Sequence, residues 1–145
     1  MKLSTRGRYS VRSMLALAKI GSQQERPVSL KQISAQEGIS VSYLEQLFVH
    51  LRRAGLVKSV RGPGGGYLFA RPPHEITVGE IMQVVQECVQ PVNCAECTQE
   101  FPYPGCDIPR GSSECMSRPL WEKLEKKIDD FLNSVTLQDI IDQKV

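Results

Sequence analysis

The sequence predicts a mainly α chain carrying one small β-hairpin. Two observations predict it. Apolar residues recur at helical spacing over most of the 145 residues. One pair of short runs rich in apolar residues, in contrast, flanks a single glycine-rich tip. Hydrophobic residues make up 41% and charged residues 23%, which is enough apolar material for a folded core. No apolar run approaches the ~20 residues of a membrane span. Met1-Lys2-Leu3-Ser4-Thr5-Arg6 has no apolar stretch of the secretory kind, so a cytoplasmic protein is expected.

The first helix is predicted over Tyr9–Ile20. Val11, Met14, Leu15, Leu17, Ala18 and Ile20 form its apolar stripe, and Gly21 is placed to end it. Gln23 to Pro27 reads as a polar turn. Ser29 and Gln32 have capping-box spacing and open a second, short helix with Leu30 and Ile33 inward. Gly38 closes it. A third helix starts at Ser40 or Ser42, both good N-caps, and buries Leu44, Leu47, Phe48 and Leu51. Ser42, Tyr43, Glu45 and Gln46 point mostly away from that face. Arg52 and Arg53 follow, and Gly55 ends the helix.

Leu56–Val60 and Tyr67–Ala70 read as two strands joined by Arg61-Gly62-Pro63-Gly64-Gly65-Gly66. Thr77 and Glu80 suggest a further capping box, opening a helix through Cys88 with Val78, Ile81, Val84 and Val85 inward. Residues 90–116 hold four of the five cysteines, four of the nine prolines and few aliphatic side chains. Such a loop cannot build its own core and needs a staple. Pro119 suits a first helical turn. Leu120, Leu124, Ile128, Phe131, Leu132 and Val135 then make one continuous stripe along a long helix. Thr136 with Asp139 starts a last short helix carrying Leu137, Ile140 and Ile141. The organisation is therefore residues 1–74, a connecting helix over 75–89, a cysteine-rich loop over 90–116, and 117–145 as the long helix with its short successor.

Net charge is only +2, yet it is unevenly placed. Residues 1–74 carry 12 Lys/Arg against 3 Asp/Glu, and residues 75–145 carry 6 against 13. The first half is thus +9 and the second −7, which suggests that only the first meets a polyanion. Two short helices joined by a glycine-containing turn make a helix-turn-helix candidate. Its second helix would lie in the major groove, with N-terminal residues Ser40, Ser42, Tyr43, Glu45 and Gln46 toward base edges. Gln46 can pair bidentately with adenine, and Glu45 can accept from the cytosine amino group. Arg61 with Gly62, Gly64, Gly65 and Gly66 forms a wing whose bare backbone can approach a phosphate or enter a narrow minor groove. The lysine and strand-to-helix context of a phosphate-binding P-loop are absent. No carboxylate pair or nucleophile–base pair is evident either. A DNA-binding protein with no enzymatic activity and no small-molecule substrate is expected.

The cysteines read Cys94-x2-Cys97-x8-Cys106-x8-Cys115, with Cys88 apart. In a reducing compartment, clustered thiols bind metal or sense redox state more often than they form disulfides. Four thiolates suit zinc or an iron–sulfur cluster, and spacing does not separate the two. Cys88 shares a helical face with Ile81 and Val85 and reads as a buried apolar thiol. His50 reads as helix surface and His74 as loop.

Leu3–Tyr9, Gly38–Leu47 and Val60–Leu68 together resemble the Rrf2 family of bacterial winged-helix regulators, nearest to its branch of iron–sulfur cluster regulators. The resemblance runs to Leu137 and is weakest between Cys94 and Cys115. It implies a homodimer on a two-fold symmetric double-stranded operator, with the helix from Leu120 as dimerisation helix. Ser42, Tyr43, Glu45 and Gln46 match the family's recognition positions, and Arg61 with Gly62–Gly66 its minor-groove wing. It implies a [2Fe–2S] cluster held by three cysteines and a histidine, sensing cluster status to control cluster biogenesis genes. Cys94 and Cys115 match the first and third cysteines. The middle one is Cys97 or Cys106, with Cys106 favoured. The family's histidine position falls on Arg118, which stays protonated and cannot ligate. The fourth ligand is then Cys97, a carboxylate such as Glu96 or Asp107, or a residue of the partner subunit. All-cysteine ligation also admits [4Fe–4S]. Sensing of nitric oxide, iron or redox state, structural zinc, and, as another class, a redox or electron-carrier module are the competing readings.

Overall fold

The computed structural model describes residues 4–24, 26–85 and 116–145. The chain order is α1 (Thr5–Gln23), α2 (Leu30–Glu37), α3 (Val41–Arg53), β1 (Val57–Val60), β2 (Gly66–Phe69), a 3-10 turn at Pro73–Glu75, α4 (Val78–Val84), α5 (Arg118–Ser134) and α6 (Leu137–Ile141). The chain divides into two units. One comprises Lys2–Cys88 with Phe131–Val145, and the other is made chiefly of Val89–Asp130. The mainly helical reading with one hairpin therefore holds. No helix among the described residues is long and apolar enough to cross a membrane.

α1 is longer at both ends than its apolar stripe predicts. The Ser4 hydroxyl accepts the Gly7 N–H at 3.2 Å and starts the helix four residues before Tyr9. Gly21 lies inside the helix rather than after it. A stripe marks only where side chains meet the core, so polar turns beyond it stay invisible. As a result Arg6, Arg8 and Arg12 stand on a rigid helix. The buried hydroxyls of Ser10 and Ser13 donate to the carbonyls of Arg6 (2.8 Å) and Ser10 (3.0 Å), which removes the cost of burying them.

α2 opens as predicted. Ser29 Oγ accepts the Gln32 N–H while Gln32 Oε1 accepts the Ser29 N–H at 2.9 Å. It closes on Gly38, whose φ of 67° is the left-handed cap. Of the two serines predicted to start α3, Ser40 is the cap, accepting the Tyr43 N–H at 3.3 Å. Leu44, Leu47, Phe48 and Leu51 are buried and meet Met14, Leu17, Val28, Ile33 and Ile39 in one core.

The hairpin is antiparallel, with Val57 opposite Phe69 and Val60 opposite Gly66. Both strands begin one residue away from the predicted positions. Leu56 instead closes the turn after α3, its N–H bonded to the Leu51 carbonyl at 3.0 Å. Val28 pairs with Tyr67 through two backbone hydrogen bonds of 3.0 and 2.8 Å, so β2 is covered on its second edge. The Phe48 and Tyr67 rings meet edge-on at 4.8 Å, fixing the wing base against α3.

α4 starts on Thr77, which accepts the Glu80 N–H at 3.1 Å. The box is one-sided, because the Glu80 carboxylate is bound by Arg71 instead. The helix ends at Val84, short of the predicted Cys88, which lies outside the described residues. α6 starts at the predicted Thr136 and carries a full capping box, with Asp139 Oδ2 accepting from the Thr136 N–H and O–H at 2.9 and 2.6 Å. Thr136 also bridges Thr77, with Val78 N–H donating to Val135 O and Leu137 N–H to Ile76 O, both at 2.9 Å.

Candidate nucleic-acid interface

The turn between α2 and α3 is short because Gly38 reverses the chain in one step and Ser40 caps the next helix at once. Four buried side chains of α3 fix its rotation. Ser42, Glu45 and Gln46 are thereby exposed together near its N-terminus. Neither Glu45 nor Gln46 makes a side-chain hydrogen bond or ion pair among the described residues, so both are free to meet a partner. Glu37, the other described carboxylate of residues 4–74, is already bound. Arg12 donates to its Oε2 at 3.0 Å and to its backbone carbonyl at 2.8 Å.

Tyr43 differs from its neighbours. It is half-buried, and its ring meets Tyr9 edge-on at 5.9 Å. The Arg12 guanidinium lies 5.5 Å from the centre of the Tyr9 ring. Tyr43, Tyr9, Arg12 and Glu37 thus form a chain of contacts from α3 across α1 to the end of α2. Ser40 is spent first on capping. Of the residues predicted to face bases, Ser42, Glu45 and Gln46 are exposed and not engaged in a side-chain hydrogen bond among the described residues.

Exposed arginines come from three elements. Arg8 on α1, Arg53 on α3 and Arg61 at the wing are exposed and make no ion pair among the described residues. Arg52 Nη1 reaches Ser59 Oγ at 3.5 Å, a long contact from α3 to β1. Arg6 Nη2 donates to His50 Nε2 at 3.0 Å, so His50 is a half-buried acceptor rather than plain helix surface. No local pattern signals this pair, because its members are 44 residues apart.

At the wing tip, Arg61, Gly62 and Gly64 are exposed. Gly62 and Gly64 have φ of 105° and 71°, which the turn requires. Gly65 and Gly66 are glycine for an internal reason. A Cβ at Gly65 would sit 2.3 Å from the Val60 carbonyl oxygen, and one at Gly66 2.4 Å from that of Val28. Their bareness lets the wing close on itself and on the preceding strand.

The predicted ligands Cys94, Cys97, Cys106 and Cys115 lie outside the described residues, as do Glu96 and Asp107. Arg118 opens α5 and donates from Nε to Glu122 at 2.8 Å. Among the described residues no group of three or more His, Cys, Asp and Glu side chains is placed to hold a metal ion.

A capped helix with an exposed polar N-terminus, held beside a basic wing, is the geometry of a groove-reading module. The family model described as an iron-dependent transcriptional regulator, Rrf2, matches residues 3–143. The chain belongs to the Rrf2 family. An HTH-type transcriptional regulator IscR from Pectobacterium carotovorum is 44% identical over 144 residues, covering 99% of this chain and 81% of the relative. Among solved structures, T. potens IscR has a TM-score of 0.72 at 39% identity, covering 100% of this chain and 89% of that one. CymR, described as the global cysteine regulator of B. subtilis, has a TM-score of 0.73 at 38% identity, covering 97% and 95%. The fold is that of the winged-helix Rrf2 regulators, and the chain is a DNA-binding transcriptional regulator of that family.

Proposed function

We propose that this Rrf2 regulator binds a two-fold symmetric operator as a homodimer and that its cysteine loop holds an iron–sulfur cluster whose presence selects the operators bound. The observation that carries the DNA reading is the exposed Glu45–Gln46 pair on a helix rotated by four buried side chains. Ser42, Glu45 and Gln46 read base edges, and Arg61 with Gly62 and Gly64 enters the minor groove. Ser40, Tyr43, Gly65 and Gly66 hold those groups in place. Glu45 is the carboxylate of that face left without a cation, which suits discrimination at a cytosine and penalises a misplaced phosphate.

The donor set supports the cluster reading. Cys94, Cys106 and Cys115, with Cys97 as the fourth thiolate in place of a histidine, are soft ligands that suit [2Fe–2S]. When bound, such a cluster supplies a labile, redox-sensitive group. The genes controlled are then those of iron–sulfur cluster biogenesis, as the resemblance of the sequence motifs implies. The likeness to a cysteine regulator favours a second reading, in which the same thiols respond to redox state without a cluster.

α5 supports the dimer. Leu120, Leu124 and Phe131 are 59%, 39% and 56% exposed along one helix, a large apolar stripe for a lone chain.

The test is an ultraviolet–visible spectrum of protein purified without oxygen, with iron and sulfide counted per chain. A coloured protein with about two of each supports [2Fe–2S], and about four indicates [4Fe–4S]. A colourless protein, even after reconstitution, removes the cluster and leaves the thiol reading. Replacing Cys94, Cys106 and Cys115 by Ala should abolish the chromophore and change operator preference.

A further inference from the structure

On the unit formed by Lys2–Cys88 and Phe131–Val145, a groove of about 880 Å³ opens between the second half of α1, the base of the wing and α6. Its walls are mainly apolar, with Leu15, Leu68, Phe69, Pro73, Ile140 and Ile141 among them. Two charged side chains line it, Lys19 from α1 and Lys58 from β1, and both are cations. Neither makes an ion pair among the described residues. The carboxylates of α6 and its cap do not answer them. Asp139 is held by Thr136, and Asp142 accepts from Gln138 at 2.7 Å and Lys144 at 2.8 Å. An apolar trough with two unneutralised ammonium groups has a definite complement, an apolar body carrying a negative charge.

We propose that this groove binds an amphipathic organic anion, a carboxylate on an aliphatic body, and that its occupancy is linked to operator binding through the wing. Lys58 and Leu68 are cross-strand partners in the hairpin that carries Arg61, and Phe69 follows on β2. An occupant therefore packs on the wing's own strands. Any preference it has for one wing position is returned, by linkage, as an equal change in its own affinity when DNA is bound. The binding half stands without any DNA reading, and the linkage half rests on the wing contacting the operator.

Decanoate, kept below its micellar concentration, is the probe, with decanol as the uncharged control. Calorimetric titration of the full chain without DNA should show saturable binding of one decanoate per chain. The Lys19→Gln/Lys58→Gln variant, two surface changes, should lose about tenfold or more in affinity, the scale of one charge-assisted contact. Decanol should bind at least as weakly as decanoate binds the variant. A second variant, Ala18→Trp, should block the groove, with folding checked by circular dichroism. Absence of saturable binding, equal binding of decanol, or equal binding by both variants would overturn the site. So would a change of association state in the variants by sedimentation, because the groove would then be a contact between copies. For the linkage, decanoate should shift the affinity of the wild-type chain for its selected operator at least twofold. Binding of decanoate with unchanged operator affinity would overturn the linkage, while a chain that binds decanoate but no DNA would fault the wing reading alone.

Discussion

Arg6 Nη2 lies 3.0 Å from His50 Nε2 and joins the first turn of α1 to the last turn of α3. A guanidinium only donates, so the imidazole accepts at Nε2 and carries its hydrogen on Nδ1. His50→Leu removes the acceptor and should cost about 1 kcal/mol in urea unfolding. It should also weaken operator binding by loosening the recognition helix. His50→Gln keeps an acceptor and should recover most of both. Equal losses in the two variants would show that shape at position 50, not the hydrogen bond, is what counts.

Two wing glycines should respond differently to a methyl group. At Gly66 the added Cβ would lie 2.4 Å from the backbone oxygen of Val28, which cannot move aside without breaking the Val28–Tyr67 bridge. Gly66→Ala should cost about 2–3 kcal/mol, as overpacking does. At Gly62 nothing lies within 4 Å, and only the φ of 105° is unfavourable. Gly62→Ala should cost about 1–2 kcal/mol. Thermal unfolding in which Gly62→Ala is the worse variant would contradict this ranking.

Arg61 and Gln46 should fail in distinguishable ways. Arg61→Ala should weaken binding to all duplexes alike and flatten the slope of log affinity against log salt by about 1. Gln46→Ala should leave the slope and relax base choice at one position, worth about 1–3 kcal/mol. A selection from random duplexes, repeated at two salt concentrations, reads both. Identical profiles for the two variants would mean that α3 and the wing do not divide the work as proposed.

Leu124 and Phe131 should control association. Each is exposed on α5, and burying such a side chain contributes about 1.5–3 kcal/mol. The Leu124→Glu/Phe131→Glu variant should therefore sediment as a monomer at concentrations where the wild type is dimeric, and lose operator binding in parallel. An unchanged dimer would place the interface elsewhere.

The Asp139 carboxyl is held below the usual carboxylate range, first by the Thr136 hydroxyl and then by the Thr136 N–H. Its folded pKa is thus lower than its unfolded one near 4. The stabilisation is complete above about pH 4 and fades as pH falls through the folded pKa. Asp139→Asn keeps the acceptor oxygen and removes the titration. Its unfolding midpoint should vary less between pH 5 and pH 2.5 than that of the wild type.

Local chemistry was legible in the sequence. Ser29 with Gln32, Gly38, and Thr136 with Asp139 each satisfy a helix end where the sequence places one, through residues three or four apart, and Ser40 does so as one of two candidate caps. The helix-turn-helix and the wing followed from those punctuation marks. What escaped the sequence depends on distant pairs. The start of α1 was hidden because Ser4 precedes any apolar residue of the stripe. Tyr43 was read as a base-facing residue, although Tyr9 draws its ring inward. Gly65 and Gly66 were read as bare for DNA, but their close neighbours are Val60 and Val28. Glu80 was assigned to a capping box, yet the Arg71 cation outcompetes a backbone amide for its carboxylate.

The bridge between Thr77 and Thr136 also bears on how this chain can vary. Val78 and Val135 belong to the winged unit, on the two chain segments that flank Val89–Asp130, and one hydrogen bond of 2.9 Å ties these two residues together. Leu137 and Ile76 add a second beside it. Gly79, next along, would bring a Cβ within 3.1 Å of the Asn133 backbone nitrogen. The neck of this excursion is thus laced shut independently of how much sequence lies beyond it. Closing a longer loop costs only about 0.6 kcal/mol per doubling of length. Insertions, deletions and changed cysteine spacings within Val89–Asp130 can accumulate without shifting the register of the helix-turn-helix and the wing. A chain built this way can vary that segment while keeping its helix-turn-helix and its wing.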